Sequence, residues 1–253
     1  MKLIFKKIIN SFFIPRFLFK LFYSDSDLKF LLKSERRDSK KSLIGKLKKK
    51  IFFFLPTLGD VNTWKVGDKG KYRDFNHFKK FRPKIDILLI KEIYNRIENK
   101  NSAILDLGCN CGRHLRFLKR LGFNNLHGVD IMKSAVDWFY NLNLKKRENI
   151  TINHDFFQSF LTTTKSRKFE LVYTVGSTIE EIHPSFDIIF HSCRVSNKFL
   201  FLLIHESSHA YPRFYRHEIE KNNFEIFKII ENLGVNLKKN TNISLICAKR
   251  KDD

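Results

Sequence analysis

Residues 103–112 read AILDLGCNCG: an apolar run that ends in an acid, Asp106, followed by a loop held between Gly108 and Gly112. The next residues, GRHLRFLKRLG (112–122), have helical period and stop at Gly122, as a strand-loop-helix unit would. Glycine at both ends of the loop lets the backbone approach a ligand, and Asn110 between them is the non-glycine residue that best tolerates positive φ.

Working outward, PKIDILLIKEIYNRIENK (83–100) leads in as a helix, with Pro in its first turn and Ile85, Leu88, Leu89 and Ile93 at helical spacing. Downstream come NLHGVD (125–130), a helix from about Met132 to Leu142, NITINHD (149–155), FELVYTVG (169–176) and a helix near Pro184 to Arg194. The series closes with KFLFLLIHE (198–206), a polar loop with a short helix, FEIFKIIENLG (224–234) and ISLICAKR (243–250). Near-continuous apolar strands alternating with helices predict an α/β fold with a doubly wound, mainly parallel seven-stranded sheet. Such sheets bind ligands outside the carboxyl ends of their strands. Here those ends carry Asp106 to Gly112, Asp130, His154-Asp155-Phe156, Gly176-Ser177 and His205-Glu206.

DLGCNCG, then GVD, HDFF and FELVYTVGSTIEEI in that order resemble the motifs of the class I S-adenosylmethionine-dependent methyltransferases, across about residues 83–253. The resemblance implies a Rossmann-like methyltransferase fold with S-adenosylmethionine as cofactor. Asp106 and the Gly108, Asn110 and Gly112 backbone would hold its methionine portion. Asp130, with Ile131 beside it, would hold the ribose, and Asp155 with the Phe156 backbone the adenine. Asn110 stands where the family has its middle glycine. A dinucleotide-binding G-x-G-x-x-G is excluded by Asn110 and Arg113, and a P-loop by the lack of a following G-K-[ST].

Methyl transfer is an in-line displacement that rests on positioning and exclusion of water, and it needs a base only when the acceptor must lose a proton. Glu180, Glu181 and His183 follow the fourth strand, and His205, Glu206 and His209 the fifth. His183 is the leading base, with Glu181 and His205 as the other catalytic candidates. His205-Glu-Ser-Ser-His209 matches the zinc-protease pattern H-E-x-x-H. That pattern requires both histidines on one helix, whereas His205 ends an apolar strand and Tyr211-Pro212 follows, so no metal site is expected.

The 253 residues suffice for one well-buried domain plus an extension. Of a net charge of +22, the first 50 residues carry +11, a basic arm suited to an anionic partner. MKLIFKKIINSFFIPRFLFKLFY (1–23) is too interrupted by charge to span a bilayer and lacks a small-residue cleavage site. It reads as two short amphipathic pieces joined at Pro15, an interfacial anchor. The basic run Lys33 to Lys50 has no aromatic residue for base stacking, which favours a membrane over nucleic acid. Four cysteines, with Cys109 and Cys111 in an isolated C-x-C, fit neither a disulfide framework nor zinc. The expected organisation is a helical basic N-terminal extension (1–55), a connecting or lid segment (56–82) and a methyltransferase domain (83–253). The expected setting is cytoplasmic, peripheral to the inner face of the membrane. The expected acceptor is a small molecule, lipid or glycan; RNA or protein is the alternative, beside a degenerate methyltransferase-fold binding protein.

Overall fold

The computed structural model describes residues 83–176, 178–182, 186–205, 215–231, 233 and 243–252. The expected extension (1–55) and connecting segment (56–82) lie outside the described residues. Described elements begin with helix α1 (Pro83–Arg96), strand β1 (Ile104–Leu107), α2 (Arg113–Arg120), β2 (Leu126–Asp130), α3 (Lys133–Tyr140), the short α4 (Leu144–Arg147) and β3 (Ile150–His154). They continue with α5 (Phe157–Thr163), β4 (Phe169–Val175), a 3-10 turn (Ile179–Glu181), α6 (Ile188–Val195), β5 (Ser196–His205), α7 (Tyr215–Lys221), β6 (Phe224–Ile230) and β7 (Ile243–Arg250).

The seven strands form one sheet in the order β3-β2-β1-β4-β5-β7-β6. Strands β1 to β5 pair in parallel, and β7 runs antiparallel to both β5 and β6. This is the doubly wound, mainly parallel sheet that the alternation specifies. Central strands are buried on both faces, so β1 and β7 show no polar alternation, whereas the edge strands β3 and β6 do. The order reverses between β1 and β4, which puts a crevice at the carboxyl end of β1.

Two apolar layers sandwich the sheet. On one face Leu89 and Ile93 of α1, Leu115 and Leu118 of α2 and Phe139 of α3 pack with Tyr173 and Phe201. On the other, Leu161 of α5, Ile188, Ile189 and Cys193 of α6 and Ile219 of α7 pack with Leu105, Val172 and Leu200. Each fully buried large side chain contributes roughly 1.5–3 kcal/mol. Gly128 in β2 has no side chain because α2 lies so close: a Cβ there would meet Cys109 Sγ at 2.5 Å and Leu115 Cδ1 at 2.9 Å.

Several elements differ from those the sequence suggests. Helix α5 is an addition: FQSFLTT spans two turns with only Leu161 fully buried, too short a stretch for a legible period. The helix expected near Pro184 begins at Ile188, where Asp187 caps it by accepting from the Phe190 N–H at 3.0 Å. Strand β5 starts two residues early, at Ser196, because β4 pairs with it from Phe169 onward.

Candidate functional site

The loop after β1 takes the conformation its composition allows. Gly108 (φ 78°), Asn110 (φ 49°) and Gly112 (φ 68°) are all left-handed, a fold-back in which any other side chain is strained. Backbone bonds fix the turn: the Gly108 and Cys109 N–H groups both donate to Val129 O, at 2.9 and 3.2 Å, and the Gly112 N–H donates to Cys109 O at 2.9 Å. The Asn110 side chain adds an acceptor for the Cys111 N–H at 2.8 Å. A Cβ on Gly108 would meet Thr178 Cγ2 at 2.4 Å and Oγ1 at 2.7 Å. Thr178, in the turn after β4, therefore sits against the loop after β1.

Asp130 ends β2 and is only 7% exposed. Its Oδ2 accepts from the Asn110 N–H at 2.7 Å and its Oδ1 from the Met132 N–H at 2.8 Å. Both carboxylate oxygens of Asp130 thus hold backbone N–H groups, which pins the loop after β1 to the end of β2. Asp155 follows β3: its N–H donates to Asp130 O at 3.2 Å, and its Oδ1 accepts from the Phe156 N–H at 2.7 Å. Ile131, Asp155 and Phe156 are half-buried beside these groups, and the His154 ring Nε2 lies 3.1 Å from Ile131 O.

Asp106 is the most unusual member. It is 1% exposed, and β1–β4 register places Tyr173 directly beside it. The Tyr173 hydroxyl donates to Oδ2 at 3.0 Å, while Oδ1 has no hydrogen-bond partner among the described residues. Burial pushes the carboxyl up to about 8 against the opposing effect of the Tyr173 bond, with Asp130 adding repulsion and Arg113 attraction. A buried acceptor of this kind is costly unless something occupies it, and a cation is what it suits.

Behind the loop, Asp86 of α1 is fully buried, 3.3 Å from Arg113 Nη2 and 3.3 Å from His114 Nε2 at the start of α2. The His114 ring stands edge-on to Tyr173, 6.4 Å between centroids. After β4, Glu180 is buried and its Oε2 accepts from the Thr178 N–H at 2.9 Å. That bond closes the turn after β4. Burial raises the Cys109 thiol well above its ordinary range, so it holds its proton and packs as an apolar group.

The structure brings Asp106, Gly108, Asn110, Gly112, Asp130, Ile131, Asp155 and Phe156 to the carboxyl ends of β1, β2 and β3. Glu181 closes the 3-10 turn and His205 ends β5; nothing is described of either side chain. His183, Glu206 and His209 lie outside the described residues. Tyr173, Thr178, Asp86 and Arg113 escaped the sequence reading. A tyrosine in FELVYTV looks like one more core aromatic, and only strand register reveals its partner.

No protein-family model matches the chain, and no curated protein sequence matches it. Solved structures do. The chain is similar to the magnesium protoporphyrin IX methyltransferase of Synechocystis PCC 6803 with bound SAM, at TM-score 0.61 and 13% identity, over 76% of this chain and 98% of that one. It is similar to the geranyl diphosphate C-methyltransferase of Streptomyces coelicolor A3(2), at TM-score 0.51 and 11% identity, over 65% of this chain and 78% of that one. The cyclase SpnF is also similar, at TM-score 0.53 and 11% identity, over 65% of this chain and 80% of that one. The fold is that of the S-adenosylmethionine-dependent methyltransferases, and identities this low show the fold alone.

Proposed function

We propose that the chain is an S-adenosylmethionine-dependent methyltransferase. The observation that carries this is the buried Asp106 Oδ1, which has no partner among the described residues, set beside a loop of three left-handed residues pinned by Asp130. The residues present fit the cofactor: a carboxylate for a cationic amino acid tail, a loop into which no Cβ fits at Gly108, and a second carboxylate one strand away for hydroxyls. When bound, S-adenosylmethionine supplies an electrophilic methyl on a sulfonium.

The chain's own residues bind and orient. A cation at Oδ1 favours the ionised form of Asp106, so binding near neutral pH expels the proton that burial retains. Tyr173 keeps the carboxylate aimed by holding its other oxygen. Asp130 couples the two ligand-facing regions, since the carboxylate that fixes the Asn110 N–H also closes the turn to Met132. Asp155 and the Phe156 backbone complete the adenine side. His183 serves as base where the acceptor has a proton to lose, with Glu181 and His205 as the neighbouring candidates.

The acceptor class that best joins the site to the basic arm is a small molecule, lipid or glycan intermediate met at the inner face of a membrane. In this organisation residues 1–55 anchor, 56–82 connect or cap, and 83–253 catalyse. RNA or protein as acceptor draws support from the same charge of +22; salt-sensitive RNA binding that survives deletion of residues 1–24 would favour it. The test is calorimetric titration with S-adenosylmethionine followed by labelled-methyl transfer to cell lipids, glycans and RNA. Saturable binding with label in one of these fractions is expected. Binding without transfer would reassign the chain as a binding protein on this fold, and absence of binding would remove the reading altogether.

A further inference from the structure

A groove of about 400 Å³ lies among α2, α3 and α4, lined by Arg116, Lys119 and Arg120 of α2, Trp138 of α3, Leu142, and Lys145 and Lys146 of α4. Helices α2 and α3 start at the carboxyl ends of β1 and β2 and run back to the amino ends of β2 and β3, so the groove opens toward those amino ends, with Arg116 at its inner side reaching back to Cys111 of the loop. Counter-charge is sparse. Lys119 is 3.4 Å from Glu148 and donates to Lys145 O at 2.8 Å, while Arg120, Lys145 and Lys146 have no ion-pair partner among the described residues. Beside this charge Leu144 is 67% exposed, more than any other large apolar side chain among the described residues, and Tyr140 is 38% exposed.

We propose that this corner of the catalytic domain docks on an anionic lipid bilayer, the groove taking lipid phosphates and Leu144 entering the headgroup boundary. An aliphatic tip set among consecutive cations, Leu144-Lys145-Lys146-Arg147, matches the two terms of interfacial binding: apolar insertion and attraction to anionic headgroups. Nucleic acid would gain nothing from an exposed leucine and would seek open aromatic faces. The ring of Trp138 has the Arg116 guanidinium over it, 5.3 Å from the centroid. That of Tyr140 is tethered through its hydroxyl to Ile152 O at 2.8 Å and Ile152 N at 3.0 Å. Docking at the amino ends of β2 and β3 turns the carboxyl-end mouth toward water, which among the acceptor classes above suits a small molecule or glycan that projects from the bilayer over a group buried within it. The proposal is independent of the cofactor reading and adds a second contact to the one the N-terminal arm offers.

The experiment uses the full chain with Leu144→Cys carrying an environment-sensitive fluorophore; the four native cysteines are buried, so labelling is selective. Vesicles of phosphatidylcholine with phosphatidylglycerol should shift the emission to the blue and raise it, and vesicles of phosphatidylcholine alone should not. Arg120→Glu combined with Lys145→Glu and Lys146→Glu should weaken partitioning onto the anionic vesicles by at least about tenfold with an unchanged melting temperature. No sedimentation with anionic vesicles, an unmoved emission on vesicles that carry the protein down, or unchanged partitioning of the triple variant each overturns the proposal. So does a triple variant that keeps its vesicles and loses binding to polyuridylate, which would assign the groove to nucleic acid.

Discussion

Asp106 titrates where a carboxylate normally does not, and the direction of its effect on stability follows. Between the ordinary value of 3.8 and about 8 the unfolded chain has lost a proton that the folded chain keeps, so this residue makes stability fall as pH rises across that window. Asp106→Asn removes the titration; melting temperature measured against pH should decline less steeply than in the parent. The same substitution should weaken S-adenosylmethionine by about 2 kcal/mol, roughly thirtyfold, for the loss of one charge-assisted hydrogen bond. Gly108→Ala meets both a left-handed backbone and the Thr178 side chain. It should cost about 2–4 kcal/mol in denaturant unfolding, and adding Thr178→Ala should recover the steric share but not the backbone share. This loop was legible in the sequence because the backbone itself demands Gly, Asn and Gly. Tyr173 was not, since its role depends on which residue lies opposite it across β1 and β4.

Among the elements, the α1–α2 junction depends on a buried acid. Asp86 looks in the sequence like a first-turn acid favourable to any helix N-terminus, yet it is fully buried against Arg113 and His114. Asp86→Ala should destabilise the fold by about 3–5 kcal/mol in denaturant melts, because it removes the buried carboxylate set against Arg113 and His114. A comparable clasp joins β7 to the α6–β5 turn. Arg250 donates from Nη2 to Cys193 O and Ser196 O, both at 2.6 Å, and from Nε to Asn197 O at 2.9 Å, with its guanidinium 4.6 Å above the centre of the Phe224 ring. In ISLICAKR that arginine reads as a solvated strand end, and only tertiary packing shows otherwise. Helix α5 escaped for a related reason: seven residues bury one leucine, so its placement rests on neighbours such as Arg194, which donates to Thr164 O at 2.8 Å and to Leu161 O.

For the whole molecule, period and order carried the fold. Seven apolar runs, most of them separated by helices, leave few topologies once parallel crossovers must be right-handed, and the resulting switch between β1 and β4 puts the glycine loop at the crevice. The catalytic candidates were less legible, because His183 and His205 are named by position after a strand and not by a chemical pattern. His183→Ala should lower turnover by about a hundredfold or more, the lower end of general base catalysis, while calorimetric affinity for S-adenosylmethionine stays unchanged; equal turnover would remove it from the mechanism. In the proposed function, the turn after Asp106 and the carboxylate of Asp130 clasp a nucleoside sulfonium. Titrating the full chain with S-adenosylmethionine in two buffers of different ionisation heat tests it most directly. One-to-one binding accompanied by proton release is expected, and a folded chain that gives no saturable heat in either buffer rules out this clasp.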